Sequence, residues 1–276
     1  MQKHYLWNVT WGCPSNCPEC WVRRTILMDE KCLAERVHSL EEWIEVFKKD
    51  PPTTLDIAGG EPFSIPWMVP FIKRLGEEAE TKDVRVGLST NGLFSKNILS
   101  LCDERLRNVI SINMSFHPNI VQWMSSYIDR YKENIGKVKE CGYHIFSSIV
   151  DYKNNVAISS GYGIRDWLEE KGIQLVISPY EDMDVVMENT MSKKLACDGG
   201  ITHKVFSPGG YVFPCLTTLR SPARWERVLG NVFDPEYDPS SVKRVESCQL
   251  FCYDYYILQR LHPSGDMWSV NAREVE

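Results

Sequence analysis

The sequence has no long hydrophobic run and no export signal. Its richest apolar stretch, residues 65–72, is interrupted by Pro66 and Pro70, whereas a membrane-spanning helix needs about 20 predominantly apolar residues. The N-terminal residues lack the apolar core and the small-residue cleavage site of a secretory signal peptide. These absences predict a cytoplasmic protein that has no membrane partner.

Basic residues are also in short supply. Lysine and arginine number 31 against 37 aspartates and glutamates, which gives a formal net charge of −6. Proteins that bind duplex nucleic acid usually present a basic surface that neutralises phosphates, so bulk nucleic-acid binding is not expected. A nucleotide-sized substrate is still compatible with this balance, because one arginine or lysine is enough to hold one phosphate.

Cysteine, by contrast, is abundant. Ten cysteines occur in 276 residues, and the cytosolic thiol pools keep most cysteines reduced. Metal ligation or redox chemistry therefore explains this count better than a disulfide framework does. The remaining composition, with 43% hydrophobic and 25% charged residues, is typical of an ordinary folded globular chain.

Six segments rich in β-branched and aromatic residues are each followed by a helical pattern. Alternating strands and helices predict an α/β fold with a parallel sheet, and six units indicate a partial (β/α)6 TIM-like barrel. A doubly wound open sheet is the competing arrangement. The predicted strands are His4–Thr10, Thr53–Ala58, Val84–Ser89, Val109–Ser115, Tyr143–Val150 and Ile173–Ser178.

Two of the predicted helices carry one-faced apolar stripes with the 3.6-residue period. The stripes are Leu33, Val37, Leu40, Ile44 and Phe47 in the first helix, and Met124, Tyr127, Tyr131, Ile135 and Val138 in the fourth.

The pattern changes near residue 188, so we predict a barrel over 1–187 and a small C-terminal α+β domain over 188–276. This domain holds a hairpin, Lys204–Ser207 with Tyr211–Phe213, and a closing helix over Tyr253–Leu261.

Every unusual polar segment follows a predicted strand, and in a parallel array ligands bind beyond the carboxyl ends of the strands. Strand one is followed by Cys13, Cys17 and Cys20 in the spacing C-x3-C-x2-C. Three thiolates on one loop can hold three corners of a cubane iron–sulfur cluster and leave one iron without a protein ligand. The alternative is a zinc knuckle completed by Cys32 or His38.

This cysteine loop, with Trp21 directly after its third cysteine, resembles the signature of the radical S-adenosylmethionine (SAM) enzymes. The resemblance covers the six strand–helix units and implies a [4Fe–4S] cluster whose open iron binds SAM. An electron from the reduced cluster then cleaves SAM and generates a 5′-deoxyadenosyl radical. The radical abstracts hydrogen from a substrate carbon, and a flavodoxin- or ferredoxin-type partner would supply the electron.

The same resemblance implies a SAM pocket. Its residues are Trp21, Gly59, Gly60 and Glu61, which match the family's GGE contact to the methionyl ammonium, and Ser89, Asn91 and Ser115, which match its polar ribose or carboxylate contacts. Ile149, Val150 and Ile177 are candidates to wall the adenine. His117, Asp151 and Tyr180 are the candidate catalytic residues, and a structural histidine is the alternative for His117.

A second cysteine set lies near the C-terminus: Cys197, Cys215, Cys248 and Cys252. Four thiolates can fully ligate a second, auxiliary [4Fe–4S] cluster. The segment resembles the Twitch extension, a reduced SPASM domain, which implies electron transfer and an oxidoreductase-like reaction. A structural zinc site is the alternative, and Cys102 and Cys141 are read as small core residues.

The resemblance leaves the substrate open, and a small polar or nucleotide-like molecule undergoing oxidation or rearrangement is our expectation. The rim residues that can contact it are Tyr5, Trp7, His117, Asp151, Tyr180, Glu181, Asp182, Arg220 and Arg224. A peptide-modifying maturase is the alternative, disfavoured because the cluster loop begins at Cys13 without a preceding leader-binding domain. An iron–sulfur or zinc sensor is the alternative outside enzymes, but no basic face or helix-turn-helix pattern supports it.

Overall fold

A computed structural model describes residues 2–82, 84–179, 195–243, 245–248 and 272–274. Its main feature is a nine-stranded sheet in the order β10-β9-β8-β1-β2-β3-β4-β5-β6. The strands of the chain are β1 His4–Asn8, β2 Thr54–Ala58, β3 Arg85–Thr90, β4 Ile110–Ser115, β5 His144–Asp151, β6 Gln174–Pro179, β7 Leu195–Cys197, β8 His203–Phe206, β9 Tyr211–Phe213, β10 Gly230–Asn231, β11 Val245–Cys248 and β12 Ala272–Glu274.

The first six strands run parallel and pair in chain order, for example His4 with Thr54 and Phe146 with Gln174. This arrangement confirms the predicted α/β fold with a partial TIM-like barrel. The α-helices are α1 Glu30–Leu33, α2 Leu40–Lys49, α3 Met68–Lys82, α4 Ser95–Leu99, α5 Pro118–Trp123, α6 Tyr127–Glu140, α7 Asn155–Gly161, α8 Ile164–Glu170 and α9 Leu216–Arg220. None of the described helices combines the length and the hydrophobicity that a membrane span needs.

Four residues of the second predicted stripe are confirmed on α6, where Tyr127, Tyr131, Ile135 and Val138 are all fully buried, whereas the fifth, Met124, lies before this helix and is half-buried. Their 3.6-residue spacing places them on one face, which packs into the main hydrophobic core beneath the sheet. Burial of this face fixes α6 against the strands, and two of its phenols reach the strand ends.

The first predicted stripe is wrong as a single helix. The chain forms α1 and then α2, and Leu33 and Val37 are 58% and 42% exposed. Ser39 starts a new helix because its side chain accepts from the backbone N–H of Glu42, whose carboxylate accepts from the backbone N–H of Ser39. This reciprocal capping box begins α2 at Leu40.

The predicted hairpin is confirmed as β8 and β9, which pair antiparallel. Strand β8 also pairs parallel to β1, with His4 opposite His203, so part of the predicted C-terminal domain extends the barrel sheet. A separate three-stranded sheet has the order β11-β7-β12. The predicted domain boundary and the helix over Tyr253–Leu261 lie outside the described residues.

Cys102 and Cys141, predicted to be separate core residues, are joined in a disulfide with their Cα atoms 5.7 Å apart. The bond links the turn after α4 to the C-terminal end of α6. The two sulfurs approach because α4 packs against α6, a contact that the sequence spacing of 39 residues does not reveal.

Candidate active site

A cleft of about 820 Å³ opens at the carboxyl ends of the parallel strands. Ligand pockets in enzymes commonly have this size, about 300–1,000 Å³. Its walls come from the segments after β1, β2, β3 and β4 and from the C-terminal segment around α9. The lining residues include Cys13, Cys17, Cys20, Trp21, Gly59, Gly60, Ser89, Asn91, Ser115, His117, Val150 and Arg220.

The three clustered cysteines lie on this wall, with Cys13 exposed, Cys17 buried and Cys20 half-buried. Burial raises the pKa of the Cys17 thiol, and the nearby charges of Glu19, Cys20 and Cys13 raise it further. Three thiolates at this position therefore oppose one another unless a bound cation compensates them. The donor set is soft and suits iron or zinc, so it fits the three-cysteine cluster that the spacing predicts.

Polar residues from other strands hold the cysteine loop. The side-chain amide of Asn91 donates to Ser15 Oγ at 2.7 Å and lies 3.6 Å from Cys13 Sγ. The amide of Asn119 donates to the Ser15 carbonyl at 3.0 Å. Because these donors follow β3 and β4, the sheet itself positions the cluster loop.

Gly59 and Gly60 bring the end of β2 into direct backbone contact with the cysteine loop. A Cβ at Gly60 would lie 2.1 Å from the Gly12 carbonyl oxygen, and Gly59 adopts φ +113°. The backbone N–H of Gly60 donates to the Thr10 carbonyl at 2.6 Å. The glycines are thus required by close chain packing, and they place bare backbone on the cleft wall.

Glu61 is fully buried and does not line the cleft. Its carboxylate accepts hydrogen bonds from Thr90 Oγ1 at 2.8 Å and from the backbone N–H groups of Asn91 at 2.8 Å and Phe63 at 3.1 Å. Burial raises the pKa of Glu61 to about 7, against the opposing effect of these donors. The side chain braces the ends of β2 and β3, while contact with a methionyl ammonium stays a prediction.

Polar residues at the carboxyl ends of β3 and β4 face the cleft together. Ser89 accepts from Asn113 Nδ2 at 3.5 Å, and the hydroxyls of Ser115 and Ser148 are 2.9 Å apart. Asn113 also lines the cleft, and our sequence reading missed it. Its position two residues before Ser115 on β4 is the signal, because alternate strand residues share a face.

His117 lies beside the cluster loop. Its Nδ1 is 3.3 Å from Cys17 Sγ and 3.7 Å from the carboxylate of Glu19. The side chain of Glu19 is only 4% exposed, and Asn155 Nδ2 contacts it at 3.5 Å. Sequence reasoning missed Glu19, and no local pattern marks it, because its partners His117 and Asn155 lie far away in the chain.

The two candidate arginines have different environments. Arg220 is 8% exposed, lines the cleft, and stacks its guanidinium 4.7 Å from the ring centre of Trp21. Arg224 instead donates to Asp29 Oδ2 at 2.5 Å and to the carbonyls of Leu219 and Thr25. The expectation that Arg224 holds a substrate anion is therefore wrong, because the chain itself occupies its donors.

Several other rim candidates lie elsewhere. Tyr5 and Trp7 are buried in the core, and the Tyr5 hydroxyl donates to Asp50 at 2.6 Å. The prediction that both lie on the rim is wrong, because these side chains of β1 point into the hydrophobic core.

Asp151 is exposed at the end of β5 and does not line the cleft. Among the adenine candidates only Val150 lines it. Tyr180, Glu181 and Asp182 lie outside the described residues.

The second cysteine set is described only in part. Cys215 begins α9, and its sulfur accepts from the backbone N–H of Thr218 at 3.4 Å. Cys197 and Cys248 lie on the paired antiparallel strands β7 and β11, and Cys252 lies outside the described residues. The auxiliary cluster stays a prediction.

The alternative zinc ligands have other partners. Cys32 Sγ is 4.0 Å from Arg224, while His38 contacts Glu42 at 3.1 Å and stacks on Phe233 at 3.5 Å.

Residues 7–155, just over half of the chain, match the sequence profile of the Radical SAM superfamily. A search of the curated proteins finds no match. The structure is similar to one described as "Native anSMEcpe with bound AdoMet", with a TM-score of 0.53 and 14% identity over 84% of this chain and 78% of that chain.

A second structure, "Native anSMEcpe with bound AdoMet and Cp18Cys peptide", gives a TM-score of 0.55 and 13% identity over 84% of this chain and 77% of that chain. At these identities the likeness supports the fold alone.

Proposed function

The chain belongs to the radical SAM superfamily, and on this premise we propose that it cleaves SAM reductively to abstract hydrogen from a small polar or nucleotide-like substrate. The observation that carries the proposal is the common location of Cys13, Cys17 and Cys20 with the polar strand ends in one cleft. When bound, the [4Fe–4S] cluster and SAM would supply the electron and the 5′-deoxyadenosyl radical.

The chain's own contribution is to hold and orient these groups. Cys13, Cys17 and Cys20 would ligate the cluster, and Asn91 holds their loop through its bond to Ser15. The bare backbone of Gly59 and Gly60 and the side chains of Ser89, Asn113 and Ser115 line the adjoining wall, where they offer polar contacts to SAM. Preorganised donors of this kind lower the entropic cost of orienting a ligand.

The position of Arg220 favours a polar or anionic substrate, because this residue lines the cleft. Arginine binds carboxylate and phosphate groups through several donors at once. We further propose that Cys197, Cys215, Cys248 and Cys252 ligate an auxiliary [4Fe–4S] cluster for electron transfer. A flavodoxin- or ferredoxin-type protein would be the electron donor.

The first test is metal and sulfide content per chain after anaerobic reconstitution. About eight irons and eight sulfides support two cubane clusters. About four irons with zinc would keep the radical chemistry and reduce the second cysteine set to a structural site. Zinc alone would overturn the proposal.

The second test is 5′-deoxyadenosine formation from SAM under a strong reductant. Substituting Ala for Cys13, Cys17 or Cys20 should abolish formation of 5′-deoxyadenosine. The control is Cys32→Ala, which removes a buried thiol from the same cleft and should retain the product. Product formation in any of the three loop variants would refute the assignment.

A further inference from the structure

Three ligand atoms of different chemistry converge at the base of the cysteine loop. Cys17 Sγ, a Glu19 carboxylate oxygen and His117 Nδ1 all lie within 4.8 Å of one another. Among the described residues no other trio of metal-binding side chains is gathered as closely, and Cys13, Cys17 and Cys20 themselves are not. The cysteine trio and this mixed trio therefore share Cys17 but define different sites.

Two of the three distances within the mixed trio are close to those expected around a tetrahedral zinc ion, and the third is below 4.8 Å. Zinc bonds of about 2.3 Å to sulfur and about 2.0–2.2 Å to nitrogen and oxygen place ligand S and N about 3.6 Å apart, and N and O about 3.4 Å apart. The observed separations are 3.3 Å for Cys17 Sγ to His117 Nδ1 and 3.7 Å for His117 Nδ1 to Glu19 Oε1. A small shift of one side chain suffices to bind the ion.

The local charge also favours a cation. Glu19 is buried, and in the described part of the chain no lysine or arginine pairs with it. A buried carboxylate beside a thiol is costly unless a positive group compensates it. Because Cys17, Glu19 and His117 all line the cleft, a metal ion can reach them from it.

We propose that the cluster-free protein binds one Zn²⁺ through Cys17, Glu19 and His117, and that this ion excludes the iron–sulfur cluster. The exclusion follows because the cluster and the zinc ion both require the Cys17 thiolate. The zinc site itself does not rest on the proposed function, since it needs neither SAM nor a substrate.

The test is zinc affinity of the full-length, anaerobic, cluster-free chain in competition with a chromophoric chelator. Co²⁺ serves as a second probe that reports thiolate and tetrahedral coordination by absorption. We expect one tight Zn²⁺ per chain. Since loss of an outer-shell partner already costs about 10–100-fold in metal affinity, His117→Ala and Glu19→Gln should each weaken binding at least about 10-fold.

Matched cysteine variants separate this site from a three-cysteine site. Cys20→Ser and Cys13→Ser should leave zinc affinity within about threefold, because neither sulfur belongs to the trio, and Cys17→Ser should abolish the thiolate–cobalt absorption. Tight binding that is lost in Cys20→Ser and unchanged in His117→Ala would overturn the proposal. Absence of tight zinc binding in the wild-type chain would do the same.

A final measurement addresses exclusion. One equivalent of Zn²⁺ added before reconstitution should lower the bound iron of the wild-type chain, and His117→Ala should resist this loss. Equal iron incorporation with and without zinc would refute exclusion. A chain that binds zinc as expected but never cleaves SAM after reconstitution would instead contradict the proposed function and leave the zinc site standing.

Discussion

The two walls of the cleft are built from different kinds of interaction. On the strand-end wall, the segments after β1, β2 and β3 are joined by backbone contacts and by the buried carboxylate of Glu61. On the C-terminal wall, the segment 216–226 is attached by side chains, through a hydrophobic cluster that packs Leu219 with Val22 and Ile26 and through the contacts of Arg224 with Asp29 and of Arg220 with Trp21. The first wall depends on strand register, and the second depends on side-chain contacts between remote segments.

This difference implies that the walls respond differently to mutation. Loss of a side chain on the C-terminal wall should detach a segment while the strand ends stay in place. Loss of a side-chain hydrogen bond that joins two strand ends should change the geometry of the proposed SAM pocket. Four substitutions test this distinction, beginning with the largest expected effect on stability.

Arg224→Ala should cost the most. Removing one partner of a buried ion pair commonly destabilises by about 3–5 kcal/mol, and the Arg224 side chain is only 4% exposed. Chemical denaturation of Arg224→Ala, Asp29→Ala and the double variant should show strongly non-additive losses. Additive losses would mean that the pair does not attach this wall.

Glu61→Gln tests the strand-end wall through the pH dependence of folding stability. The folded-state pKa of Glu61 is raised from 4.5 to about 7, so the folded chain holds a proton that the unfolded chain releases in this window. The contribution of Glu61 therefore makes stability fall as pH rises from about 4.5 to about 7.

We expect Glu61→Gln to reduce this fall by on the order of 2 kcal/mol, measured by denaturation at several pH values. A residual slope should remain because burial also raises the pKa of Asp56 to about 7. If the stability of Glu61→Gln depended on pH as steeply as that of the wild-type chain, the raised pKa of Glu61 would be contradicted.

Tyr127→Phe tests whether the hydrogen bonds that join the segments after β3 and β4 affect SAM binding. The Tyr127 hydroxyl donates toward the carbonyls of Asn91 and Ser115 at 3.1 and 3.3 Å, and accepts from the His117 N–H at 3.2 Å. The change should weaken SAM binding to the reconstituted protein about tenfold, equivalent to about 1.4 kcal/mol. It should also speed amide hydrogen exchange at residues 115–117.

Tyr131→Phe is the matched control for Tyr127→Phe. Tyr131 lies one turn away on α6 and is equally buried, but its hydroxyl contacts Met114 and Ser147. It should lose similar stability without changing SAM affinity. Equal SAM affinities in the two variants would show that Tyr127 only supports packing.

Arg220→Met should have the smallest effect on stability. A cation–π contact contributes roughly 0.5–2 kcal/mol, and the methionine retains much of the buried chain volume. A double-mutant cycle with Trp21→Leu measures this coupling by denaturation. A coupling near zero would mean that the contact between Arg220 and Trp21 does not help to attach the C-terminal wall.

Much of this architecture is encoded locally. The alternation of strand and helix patterns predicts the six parallel strands; Cys13, Gly59 and Asn91 each follow one of them, and Ser115 ends another. Parallel strands in chain order end at one rim, so chain position alone predicts that these residues gather in a cleft. The α6 stripe is correct for the same reason, since a 3.6-residue period specifies one buried face.

Other features depend on contacts between segments that are remote in sequence. The meeting of Cys17 and His117 spans 100 residues, and no local pattern specifies it. Arg220 and Arg224 are four residues apart, yet only the tertiary contacts show that Arg224 pairs with Asp29 while Arg220 stacks on Trp21. The capping box at Ser39, rather than the apolar stripe, decides where α2 begins.

The sequence by itself determined most helices and strands of this protein, because each has its own spacing of apolar residues. It also determined which edge of the sheet carries the polar residues, because the carboxyl ends of parallel strands lie at the same edge. The tertiary structure alone decided which side chains touch. Hydrogen bonds and ion pairs depend on distances of a few ångströms between segments that chain spacing leaves unspecified. For that reason the cysteine loop could be recognised from sequence, while the meeting of Glu19 with His117 and the different partners of the two arginines could not.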